Sequence, residues 1–100
     1  MIEQLTDKKV LSDIFKNHSV EKAYLFGSVV NGDLRKGSDI DFLIRFKSGI
    51  EPVKRGELWW SLYDILRDLF NKEIDLINEA SLKNPYFIAE VNKTKKLIYG

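Results

Sequence analysis

Apolar residues recur along this chain in two spacings, stripes that suit helices and runs that suit strands. The first stripe is Val10, Leu11, Ile14 and Phe15, spaced to line one side of a helix. Thr6 is placed to cap that helix, Leu5 and Val10 to clasp its first turn, and Asn17-His18-Ser19 to end it. Residues 22–26 then read as a strand and residues 39–46 as a second one. Lys47 to Pro52 is a loop marked by Ser48-Gly49 and Pro52. A longer helix is expected from about Lys54 to Phe70, with Leu58, Trp59, Leu62, Ile65, Leu66, Leu69 and Phe70 on one buried face. Glu73 to Ile77 is a third strand, Pro85 opens a last short helix to about Asn92, and Leu97-Ile98-Tyr99 forms a terminal edge strand. Such alternation predicts one small α/β (α+β) domain over residues 1–100.

Charges interrupt the apolar strands at chosen places. Asp39 and Asp41 stand two apart on the second strand, so both carboxylates share one face while Ile40 and Phe42 take the other. Two carboxylates ~4 Å apart at an effective dielectric of ~20 repel by about 4 kcal/mol. A divalent cation between them removes that cost. Asp75 sits mid-way along the third strand and, if that strand lies beside the second, faces the pair; taken alone it reads equally well as a solvated edge-strand charge. Three converging carboxylates suit two Mg²⁺ ions ~3.5–4 Å apart, the arrangement that stabilises attacking and leaving oxygens in phosphoryl transfer. Before the pair, the first strand runs into Gly27-Ser28, a turn where glycine lets a ligand approach the backbone.

Composition narrows the classes. Sixteen basic against fifteen acidic residues leave the chain near neutral, which argues against general nucleic-acid binding. Without cysteine there is no thiolate metal site, and the lone His18 excludes a histidine cluster. No apolar run is long enough to span a membrane and the N-terminus lacks a signal core, so a cytoplasmic location is expected. Three familiar motifs fail residue by residue. Asp33 stands where a P-loop needs lysine, and Leu43, Ile44 and Ile50 occupy positions that a calcium loop fills with an oxygen ligand, a glycine and a glutamate. No G-x-G-x-x-G follows the first strand.

Gly27-Ser28, ten residues, then Asp39-x-Asp41, with Asp75 on a later strand, resembles the signature of the minimal nucleotidyltransferases of the DNA polymerase β superfamily. The resemblance covers nearly the whole chain. It implies a small mixed β-sheet with helices packed on one face and the active site on the other. It also implies Mg²⁺-dependent transfer of a nucleotide monophosphate, AMP from ATP, to a hydroxyl, with release of pyrophosphate. Many such proteins are antitoxins that pair with an all-helical HEPN-type ribonuclease toxin and adenylylate its tyrosine, which suggests a partner class.

Within that resemblance Gly27 and Ser28 offer backbone N–H groups and a hydroxyl to the β- and γ-phosphates. Asp39 and Asp41 ligate both metals, and Asp75 ligates the metal nearer the acceptor and takes its proton. Asn31 and Ser38 complete the nucleotide-binding set, although Ser38 is better suited to shaping the turn. Asn31 is a departure, since many relatives carry a basic residue there. Arg35 and Lys36 could supply the missing charge, but solvated loop charges are the simpler reading. His18 reads as a helix C-terminal residue and Trp59 as core. Trp60, Tyr63 and Arg67 form a second stripe suited equally to a protein interface, with a helical partner or a second copy, and to cover by a terminal segment of the fold. Two other functions stay open: a non-catalytic antitoxin, and an enzyme acting on a small molecule or RNA.

Overall fold

A computed structural model of the chain describes residues 8–26 and 40–100. Within them the order is α1 (Lys8–Asn17), β1 (Val20–Phe26), β2 (Ile40–Phe46), α2 (Pro52–Phe70), β3 (Ile74–Asn78), α3 (Pro85–Thr94) and β4 (Lys96–Tyr99). A 3-10 turn, Glu79–Ser81, joins β3 to α3. The four strands make one mixed sheet in the order β3-β2-β1-β4. β1 is antiparallel to both β2 and β4, whereas β2 and β3 are parallel. A parallel pair needs a crossover, and the 19-residue α2 supplies it.

Local chemistry explains the boundaries. α2 starts two residues earlier than the apolar stripe suggests because Pro52 suits a first helical turn. It stops at Asn71, which takes the left-handed conformation at φ 51° that asparagine tolerates. Asn78 forms the unforeseen 3-10 turn by accepting the Ala80 N–H at 3.1 Å. After α1, His18 Nδ1 meets the Ile14 carbonyl at 2.7 Å and must carry the proton, since a carbonyl only accepts. The other ring nitrogen lies 2.9 Å from Ser61 Oγ, so the buried imidazole ties α1 to α2.

Each face of the sheet has its own apolar cluster. On the first, Ala23, Leu25, Ile40, Phe42, Ile44, Ile74 and Leu76 meet Leu11 and Phe15 of α1 and Leu62, Leu66 and Phe70 of α2. Fully burying one such side chain contributes ~1.5–3 kcal/mol, so this layer dominates folding. On the second face, Tyr24, Phe26 and Leu43 pack with Val91 of α3, with Ile77 and Leu82 beside them. The buried stripe of α2 is narrower than its apolar sequence: Ile65 and Leu69 are exposed, and so is Val10 of α1. Four strands are too narrow a platform to cover helix positions on the flank of the contact line. Thr6 and Leu5, the expected cap and clasp of α1, lie outside the described residues.

Candidate active site

The parallel pairing of β2 with β3 sets Asp41 directly opposite Asp75. On β1, the register partner of Asp41 is Phe26. One row across the sheet thus reads Asp75, Asp41, Phe26, all on the face away from α1 and α2. Adjacent strands lie ~4.8 Å apart, so the two carboxylates are neighbours. Asp41 is half-buried and Asp75 exposed. Ile40 and Phe42, which flank Asp41, and Ile74 and Leu76, which flank Asp75, are all buried on the opposite face. These apolar neighbours anchor the strands and leave the aspartates no place in the main core.

Two adjacent carboxylates are hard oxygen donors, the chemistry that suits a divalent cation such as Mg²⁺. Among the described residues no group of three or more carboxylate, histidine or cysteine side chains gathers to hold a metal. Asp39, the third expected ligand, lies outside the described residues, as do Gly27, Ser28, Asn31 and Ser38. Of the expected site residues, Asp41 and Asp75 are therefore the two that the structure brings together.

The remaining singled-out residues fall elsewhere. Trp59 is partly buried against the main core, and its indole N–H donates to the Leu76 carbonyl at 3.1 Å. Tyr63 stacks on Trp59 with centroids 5.4 Å apart and also packs on the core. Trp60 stands out, 62% exposed. Arg67 pairs with Glu73 at 2.8 Å. The far end of β2 holds a charge group that the sequence reading missed: the Arg45 guanidinium meets Glu79 at 2.8 Å and Glu21 at 3.4 Å. The Glu79 hydrogen bond and charge raise the already high Arg45 pKa. Also missed was Asn84, whose side chain caps α3 by accepting from the N–H groups of Tyr86 and Phe87.

Comparison with known proteins identifies the family and the fold. The family described as polymerase beta, nucleotidyltransferase matches residues 9–100. A candidate protein adenylyltransferase of Methanocaldococcus jannaschii is 34% identical over 79 residues, covering 79% of this chain and 74% of that one. Among solved structures, a toxin–antitoxin with AMP-PNP superposes with a TM-score of 0.72 at 20% identity, covering 94% of this chain and 73% of that one. A tri-AMPylated HEPN toxin of Shewanella oneidensis in complex with its MNT antitoxin gives a TM-score of 0.60 at 20% identity, covering 97% of this chain and 72% of that one. At such identities the structural likeness speaks for the fold, whereas the family match and the archaeal relative speak for descent. The chain belongs to the polymerase β family of nucleotidyltransferases.

Proposed function

We propose that the protein transfers AMP from ATP to a hydroxyl of a partner protein, in the manner of an antitoxin that adenylylates a HEPN-type toxin. The observation that carries this reading is the Asp41–Asp75 register pair on the sheet face opposite α1 and α2, in a chain of this family. Asp41 and Asp75, joined by Asp39, would hold Mg²⁺. When bound, Mg²⁺ neutralises triphosphate charge and stabilises the oxygens that attack and leave. Gly27 and Ser28, which follow Phe26 in the chain, would grip the β- and γ-phosphates, with Asn31 and Ser38 in support.

Asp75 is exposed and lies on β3, the outer strand of the row among the described residues. Its carboxylate would take the acceptor hydroxyl proton as the oxygen bonds to the α-phosphorus. The bond from that phosphorus to the bridging oxygen then breaks, and pyrophosphate leaves. The partner class is supported by the toxin–antitoxin neighbours. The match to a candidate protein adenylyltransferase supports a protein acceptor.

The test is label transfer from ATP in Mg²⁺ to the protein that co-purifies with this chain. Label at the α-phosphate should become protein-bound, and label at the γ-phosphate should appear in pyrophosphate. Protein-bound γ-label, or no transfer to any acceptor, would overturn the reading.

A further inference from the structure

The carboxylate row ends in an aromatic group that the reaction proposed above leaves unused. Phe87, in the first turn of α3, meets Phe26 edge to face, with ring centroids 6.1 Å apart and planes at 81°. Further along α3, Val91 is buried against Tyr24, Phe26 and Leu43, and the Lys95 ammonium lies 4.5 Å from the centroid of the Tyr24 ring. Tyr24 lies two residues back from Phe26, away from the row. The helix therefore begins at the row and runs away from it.

That first turn is held rigidly. Pro85 opens it, and Asn84 Oδ1 accepts from the Tyr86 N–H at 2.9 Å and the Phe87 N–H at 3.3 Å. Both donors are thus occupied, which removes the feature that draws anions to a helix start. The turn instead presents aromatic surface, with Tyr86 85% and Phe87 39% exposed. Neither ring is needed to seal the main core, which lies on the other face.

We propose that Phe87, backed by Phe26 and accompanied by Tyr86, is a stacking platform for the base of the nucleoside triphosphate; this rests on the nucleotidyl-transfer reading. The position favours the nucleotide over the acceptor. Phe26 leads directly into Gly27-Ser28, the proposed phosphate grip, whereas Asp75, the proposed acceptor-side base, occupies the opposite end of the row. Every base has a π-face, so the platform tightens nucleotide binding without choosing among bases.

Equilibrium binding in Mg²⁺ tests this with two probes, ATP and inorganic tripolyphosphate, which has the phosphates and no base. Phe87→Ala should weaken ATP about tenfold, roughly 1.4 kcal/mol, and leave tripolyphosphate unchanged. Phe87→Leu keeps an apolar contact with Phe26 but loses the ring, and should repeat the result with an unchanged thermal melt. Tyr86→Ala should weaken ATP by a smaller factor, about threefold. Equal loss for both probes, or a loss confined to acceptor affinity, overturns the platform. A wild-type protein that binds neither probe overturns the transfer reading and the platform with it. A protein that transfers AMP while Phe87→Leu keeps full ATP affinity overturns the platform alone.

Discussion

On the face that α1 and α2 cover, β2 contributes Ile40, Phe42 and Ile44, each no more than 1% exposed. On the other face the same strand contributes Asp41 and Leu43, and only Leu43 is sealed, against Val91 of α3. A strand buried on both sides reads as a continuous apolar run, and β2 is one except at Asp41 and Arg45. Arg45 is answered by Glu79 and Glu21, a partly exposed charge group of the kind that contributes little to stability. Asp41 has another carboxylate as its register partner. The contrast fits the proposed function: the face under α1 and α2 holds the larger buried layer, and the Asp41–Asp75 row on the other face is the part proposed for chemistry.

Substitutions on the two faces should therefore fail in different ways. Asp41→Asn should lower AMP transfer by at least a hundredfold while the melting temperature holds or rises, because a like-charge contact is relieved. Chelating the divalent cation should cause the same loss in the wild type. A steady-state transfer assay beside a thermal melt checks both. Leu66→Ala, in the sealed layer, should cost ~2–5 kcal/mol in denaturant unfolding. Its transfer rate per folded molecule should stay close to the wild type.

A finer contrast lies within α2. Trp59 is tied to Leu76 and the core, whereas its neighbour Trp60 touches it edge to face and faces solvent. Trp59→Ala should destabilise by about 3 kcal/mol. Trp60→Ala should leave the melt unchanged and weaken partner association by ~2 kcal/mol, measured by sedimentation with and without the partner. An early melt with normal association would make Trp60 a structural residue. The smallest effect is expected at α3, where Asn84→Ala removes a cap and should cost ~1 kcal/mol.

Much of this was legible from spacing. β2 and β3 were readable because Asp41 and Asp75 each stand between large apolar residues, a period-two pattern that puts charge and core on opposite faces. The Asp41–Asp75 register was not readable, since a parallel pair joined through α2 has no turn to fix its alignment. The helical period located α2 but overstated its buried width, because periodicity cannot tell how far a four-stranded sheet reaches around a helix; Ile65 and Leu69 lie beyond it. Asn84-Pro85 carried a helix-start signal, an asparagine cap before proline, that would have placed Tyr86 and Phe87 on a fixed turn. Only the tertiary fold brings that turn to Phe26. The expected roles of Gly27, Ser28, Asn31, Ser38 and Asp39 fall outside the described residues.

The division of labour between the faces stands or falls most directly on Asp75→Asn, measured as AMP transfer per folded molecule. Asp75 is exposed, on a strand held from the other side by Ile74 and Leu76, so the substitution should not disturb the fold. We expect an unchanged melt, retained ATP binding and a transfer rate lower by ~10²–10⁴-fold, the usual contribution of a positioned base. A transfer rate near that of the wild type would contradict the assignment of this row to chemistry.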